Sequence, residues 1–298
     1  MVTYPVNTAS CWAHYLPART PQQHKYHFGH ACVMAGQWVG AAQLAARAAQ
    51  RAGAGLVSVS CAAEQRLAFE VGAGSLMVAT HTSDPWPPPL LEDPRVNAVL
   101  LGSGWLAHAD TRQRVLQVLQ QAAQPRHAKR QVVLDAGAVS SFAHHVDALR
   151  AALLALPGRV VLTPHAAECA TLLGQTPPTA PGAWLVRQAQ RLGAVLLLKG
   201  ALTHIAAPTG PVCVNHASDT PWLATAGSGD VLAGVLVGLM AQGLPAHAAA
   251  AGAAWLHTHA ARAAGPFAMI AEDLIAHLPH AYRALAETPA PSPAPPEA

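Results

Sequence analysis

Charge is what this sequence has least of. Of its 298 residues only 11% are Asp, Glu, Lys or Arg, against about 25% in an ordinary globular chain. A coiled coil, which needs charged flanks along its seam, is excluded. With 52% hydrophobic residues the chain is also too apolar for disorder over most of its length. The 18 basic residues are scattered, without a run and without interleaved aromatics, and the formal net charge is +3. That argues against a nucleic-acid partner. Long apolar runs are missing as well. The longest beside a predicted helix, Val231 to Ala241, falls short of the ~20 residues that span a bilayer, so no membrane partner is expected. No basic segment followed by an apolar core opens the sequence, so no secretory signal is expected either. The five cysteines are far apart and never spaced as CxxC. This speaks against a disulfide framework or a zinc ribbon and predicts reduced thiols in a cytoplasmic protein. Also missing are HExxH, GxSxG, a P-loop GK[ST] and a complete GxGxxG fingerprint.

What is present alternates. Apolar runs predict strands at Ala31–Ala35, Leu56–Cys61, Leu76–Thr80, Ala98–Leu101, Gln131–Leu134, Val160–Thr163 and Val195–Leu198. Stretches such as Ala41–Ala52, Thr111–Ala123 and Trp184–Leu192 predict helices between them. Several strand runs are continuously apolar, as in strands covered on both faces. This order predicts an α/β fold, a mostly parallel central sheet covered by helices on both faces. Thr203–Ala206 and Val212–Asn215 predict a hairpin. The sequence then turns helical over Asp230–Gln242, Ala246–Ala264 and Ala271–Leu285. DPWPPP (Asp84–Pro89) reads as a rigid loop. The expected organisation is a loose extension over residues 1–20, a single domain over 21–286, and a disordered Pro/Ala-rich tail over 287–298.

Six motifs fall where strands are predicted to end. In the first, Gly227, Ser228 and Gly229 open an apolar helix. Such a turn aims successive backbone N–H groups at one point, and the helix N-terminus adds partial positive charge. The result is an anion hole for a phosphoryl group in transfer. Asp230 follows directly and is the candidate catalytic base, able to accept a proton from an attacking hydroxyl. The second motif puts Lys199 and Gly200 after a strand, where a lysine can meet phosphate. The others are His165 with Glu168, Gly102-Ser103-Gly104, Asp135, and Gly36–Ala41. Taken singly, each also fits plain structure: a capped helix, a strand-ending turn, a Pro-initiated helix. Their common placement favours a site. The seventeen histidines are spread along the chain, and His257 and His259, two apart, do not share a helix face. They name no metal ligand set, and the tryptophans read as packing.

On these residues the chain resembles the ADP/ATP-dependent NAD(P)H-hydrate dehydratases, a branch of the ribokinase-like superfamily. KGALTHIAAP and LATAGSGDVLAGVLVGLMAQGL are similar to the family's KGAGT and GGTGDVLAG segments. TPHAAECATLLG is similar to its TPHPGE…LLG, and GAAQLAARAAQRAGAGLVSV to its first helix and second strand. The likeness runs from about Phe28 to Ala264. It implies a ribokinase-like fold and removal of water from the damaged S-form of hydrated NADH or NADPH (NAD(P)HX), with ADP converted to AMP and phosphate, or with ATP in its place. It implies that Lys199, Gly200, Ala201, Leu202, Thr203 and Gly229 hold the nucleotide. It implies that Ala41, Gly104, His165 and Asp230 contact the substrate, that Mg2+ assists, and that the protein is a homo-oligomer, a tetramer. The sequence departs from the pattern at Gly36–Ala41, a shorter loop, and at Tyr26. It also departs at Gly137, in place of a second aspartate, at Thr220-Pro221-Trp222, and at Ala226. Its length predicts a stand-alone dehydratase without the epimerase domain fused to many relatives. Two other readings stay open: a ribokinase-like kinase of a thiazole or hydroxymethylpyrimidine alcohol, and a nucleotide-binding protein that has lost catalysis.

Overall fold

The computed structural model describes residues 4–82, 84–210 and 212–287. It begins its sheet with β1 (His30–Met34), α1 (Val39–Arg51), β2 (Leu56–Ala62), the short α2 (Arg66–Glu70), β3 (Met77–His81) and β4 (Val96–Leu101). Then follow α3 (Ala109–Ala122), β5 (Gln131–Leu134), α4 (Ala136–Ser140), α5 (Val146–Leu153), β6 (Val160–Leu162), α6 (Ala166–Leu173), α7 (Gly182–Leu192) and β7 (Val195–Leu198). A hairpin of β8 (Leu202–Ala206) and β9 (Cys213–His216) leads into α8 (Ser228–Ala241), α9 (Ala246–Ala264) and α10 (Ala271–Glu287). Among the described residues these strands form one nine-stranded sheet in the order β3-β2-β1-β4-β5-β6-β7-β8-β9. Pairing is parallel from β3 through to β7. It becomes antiparallel only at the β7–β8 and β8–β9 edge. The predicted α/β architecture is the one observed, with strand and helix ends moved by a residue or two.

Why the strands read as unbroken apolar runs is visible in the cores. Successive side chains of a strand point to opposite faces, and here both faces are dry. Along β4, Ala98 and Leu100 enter one core with α1, α8 and α9. Val99 and Leu101 enter the other, with α3, α5 and α7. The small residues of the helices have a separate cause. A Cβ on Gly234 would lie 2.2 Å from the Ala45 carbonyl oxygen, and one on Gly238 would lie 2.7 Å from that of Ala49. So α1 and α8 meet backbone to backbone. Glycine inside a helix costs about 1 kcal/mol relative to alanine, which this close approach offsets.

Within the segment expected to be a loose extension, Asn7 and Trp12 are docked on the domain. Asn7 Nδ2 donates to Asn215 Oδ1 at 3.0 Å and to the Ala251 carbonyl at 2.8 Å. The Trp12 side chain is fully buried and its ring lies 5.8 Å from that of Trp255. An indole of that size gains enough from burial to order the chain that carries it. Of the expected tail, Glu287 is the last residue of α10, and residues 288–298 lie outside the described ones.

Candidate active site

The strand order reverses between β1 and β4, and the loops that leave these two strands meet there. Open parallel sheets bind ligands at such a point, outside the carboxyl ends of the strands. The Trp38 N–H donates to the Gly104 carbonyl at 3.0 Å. The Trp105 indole N–H donates to the Met34 carbonyl at 2.8 Å. Gly104 has φ 75°, and a Cβ on it would sit 2.4 Å from the Trp38 oxygen. Ala41, in the first turn of α1, donates to the same Trp38 oxygen at 3.2 Å. Ala41 and Gly104 are therefore two walls of one junction. Gly137 is crowded in the same way, since a Cβ there would lie 2.2 Å from the Trp105 oxygen. No side chain fits at that position without moving the Trp105 loop.

Beside this junction four charged side chains gather: Asp135, Glu168, Lys199 and Asp230. Asp135, at the end of β5, is buried; its Oδ1 accepts from Thr163 Oγ1 at 2.7 Å and from Lys199 Nζ at 2.7 Å. Lys199 Nζ is also 3.7 Å from Glu168 Oε2. Burial alone would lower the pKa of Lys199, but the carboxylates of Asp135, Glu168 and Asp230 raise it above its ordinary value, so it stays charged. His165 and Glu168 cap α6 reciprocally. The Glu168 N–H donates to His165 Nδ1 at 3.2 Å, and Glu168 Oε2 accepts the His165 N–H at 2.8 Å. This capping accounts for the pair as structure, while the contact with Lys199 ties Glu168 to the cluster.

Asp230 sits in the first turn of α8. Burial, and then the nearby Asp135 carboxylate, raise its pKa to about 6. The Ser103 hydroxyl and Lys199 act the other way. Ser103 Oγ is itself buried with no hydrogen-bond partner among the described residues, so it faces the carboxyl without clasping it. A carboxylate with this proton affinity is matched to general-base work near neutral pH.

A cavity of about 660 Å³ opens against the same cluster. Lys199, Gly200, Ala201 and Thr203 form one wall, Ser228 and Gly229 another, and His165 lies at the rim. A Cβ on Gly229 would lie 3.7 Å from Lys199 Nζ, so the glycine turn and the ammonium share one corner. Apolar Pro221, Leu223, Leu232 and Ala254 also line the cavity. Leu202, Gly227, Asp230, Ala41 and Gly104 are not part of its lining. Leu202 is half-exposed on β8. Gly227, at φ 85°, is the residue that turns the chain into α8. Sequence reasoning missed Asn215, His257 and Thr258, which complete the cavity from β9 and α9. The available signal was a pair of polar side chains inside an otherwise alanine-rich buried helix. Among the described residues no group of three or more His, Cys, Asp or Glu could hold a metal ion.

A family model described as NAD(P)H-hydrate dehydratase matches residues 31–280. The chain belongs to the NAD(P)H-hydrate dehydratase family. It is 36% identical over 276 residues to the ADP-dependent (S)-NAD(P)H-hydrate dehydratase of Neisseria meningitidis serogroup B, covering 91% of this chain and 89% of that protein. It spans about half the length, 54% and 50%, of the bifunctional NAD(P)H-hydrate repair enzymes of Moorella thermoacetica and Salinibacter ruber. The ADP/ATP-dependent NAD(P)H-hydrate dehydratase of Bacillus subtilis, co-crystallised with ATP and Mg2+, superposes at TM-score 0.72 and 26% identity, covering 96% of this chain and 100% of that one. A ribokinase-like superfamily protein of Enterococcus faecalis shares the fold at TM-score 0.75 and 23% identity, covering 94% and 96%. The expected ribokinase-like fold is thus the fold of this dehydratase-family chain.

Proposed function

We propose that the protein converts the S-form of hydrated NADH or NADPH back to the reduced cofactor at the expense of ADP, or of ATP. One observation carries this reading furthest: Asp230, with a pKa near 6, directly follows the glycine turn that abuts Lys199. A base, an anion hole and a fixed cation at one corner suit the transfer of a phosphoryl group to a hydroxyl. In this scheme Asp230 takes the proton of the ring hydroxyl of the hydrate. The hydroxyl oxygen bonds to the terminal phosphorus of the nucleotide, and the bond to AMP breaks when ADP is used. The N–H groups of the Gly227–Gly229 turn and Lys199 balance the charge on the phosphoryl group in flight. Phosphate is a far better leaving group than hydroxide. The ring nitrogen's lone pair expels it, and loss of a proton from the neighbouring carbon restores the reduced ring. The water of hydration ends in the phosphate.

The nucleotide is assigned to the 660 Å³ cavity, a size within the usual ~300–1,000 Å³ of ligand sites. Lys199, Gly200, Ala201, Thr203 and Gly229 would hold it, with Leu202 contributing main chain only. Ala41, Gly104, His165 and Asp230 would contact the hydrate. Mg2+ fits as an ion carried by the nucleotide phosphates. Asp135 already serves Lys199 and Thr163, and among the described residues no group of three or more ligating side chains could hold the ion by itself, so the nucleotide phosphates would carry it. No step above depends on the ion. A cytoplasmic homo-oligomer, a tetramer, is part of the proposal, and light scattering on the purified protein tests the tetramer. No helix among the described residues is long and apolar enough to cross a membrane.

The test of function is product analysis with the S-hydrate and ADP. A dehydratase yields reduced cofactor and inorganic phosphate in equal amounts. A small-molecule kinase would leave a stable phosphoester, and a binding protein would give neither.

A further inference from the structure

His257, on α9, takes no part in the scheme above, yet it lines the cavity from a buried position. Its Nε2 lies 3.0 Å from the Ser228 carbonyl oxygen and 3.2 Å from Ser228 Oγ. A carbonyl oxygen can only accept, so Nε2 carries the hydrogen. The ring is held neutral: burial pulls its pKa down to about 4, and Lys199 acts in the same direction, against the bond to the Ser228 backbone. With Nε2–H as donor, Ser228 Oγ can only accept from the ring. Its own proton has to point elsewhere. Among the described residues the hydroxyl has no other partner, and Ser228 lines the cavity next to Gly229 and Lys199.

We propose that His257 is a positioning residue for the nucleotide: by occupying the acceptor side of Ser228, it fixes the serine hydroxyl as a donor to a phosphate oxygen of a nucleoside diphosphate. Were the ring the other tautomer, the serine would donate to it and turn lone pairs toward the phosphate. The inference rests on the reading of this cavity as the nucleotide site. A hydrogen bond to a charged group is worth roughly 1.5–3 kcal/mol, which is roughly a tenfold to hundredfold change in affinity.

The test is calorimetric titration of ADP, and separately of adenosine, into the wild type and four variants: Ser228→Ala, His257→Leu, His257→Gln and the double Ser228→Ala/His257→Leu. Melting temperatures are taken for each. Ser228→Ala and His257→Leu should each weaken ADP roughly tenfold to hundredfold. The double variant should be no weaker than Ser228→Ala, and His257→Gln, which keeps an amide donor near Nε2, should recover most of the loss. Adenosine, which has no phosphate, should bind all of them alike. Wild-type affinity for ADP in His257→Leu, additive losses in the double variant, or parallel loss of adenosine overturns the inference. If His257→Leu does not fold, Ser228→Ala and His257→Gln against ADP and adenosine decide it alone: undiminished ADP binding in Ser228→Ala refutes it. A wild type that binds neither ADP nor ATP refutes the nucleotide reading itself, a distinct result.

Discussion

Replacing Asp230 by asparagine should remove activity and add stability, and the addition should depend on pH. The carboxyl is shifted from 3.8 in the unfolded chain to about 6 in the folded one. The folded state therefore binds this proton more tightly. Its contribution to stability is fully present below pH ~4 and is lost as pH rises through about 6. At about pH 8 the wild type bears the whole cost of an ionised, half-buried carboxylate. About two units at 1.36 kcal/mol each gives a cost of roughly 3 kcal/mol. Asparagine has nearly the same shape and no charge, so Asp230→Asn should be more stable by about that amount at pH ~8. The advantage should shrink to well under ~1 kcal/mol near pH ~4 and vanish below about pH 3, where the wild-type carboxyl is neutral in both states. Other carboxylates titrate in both proteins and cancel in the difference. Urea unfolding of the ligand-free pair at several pH values measures it. Turnover should fall by roughly 10²–10⁴, the usual worth of a general base. A variant equal to or less stable than wild type at pH ~8, or one with undiminished turnover, would show that Asp230 is neither the strained carboxylate nor the base.

Further predictions come from the same cluster and from the core. The acid limb of kcat/KM against pH should have its midpoint near 6, the pKa of Asp230, rising with pH because the base must be ionised; a midpoint near 4 would assign the base elsewhere. Lys199→Met should weaken ADP binding at least tenfold and lower stability by about 3 kcal/mol, because Asp135 is left buried and unpaired; calorimetry and urea unfolding read the two effects. Trp12→Ala should cost about 3–5 kcal/mol and lower the melting temperature, whereas a loose N-terminal segment would give no change.

Most of the fold was legible because its causes are local. A strand dry on both faces has to be apolar at every position, and β6 and β7 carry that signature without help from their neighbours. The charges of the site were legible for the same reason. In a chain so poor in charge, Asp135 and Lys199 at strand ends and Glu168 and Asp230 in the first turns of the helices that follow stand out. What was not legible depends on long-range packing. His257 and Thr258 reach the cavity only because α9 lies over β8 and β9. Their polarity within an alanine-rich helix marks them as unusual, but nothing in the sequence says which site they face. Trp12 orders its segment through a partner more than 240 residues away. Leu202 lies inside a motif assigned to the nucleotide, yet strand alternation turns its side chain outward. A sequence motif names a stretch of chain, and only the fold decides which of its atoms face the ligand.

The central claim is best tested by incubating the purified protein with the S-form of NADH hydrate, with ADP and with ATP in parallel. The expected result is recovery of reduced-nicotinamide absorbance, inorganic phosphate in equal amount, and loss of both in Asp230→Asn. A stable phosphorylated product, or nucleotide binding without recovery of the reduced cofactor, would contradict it.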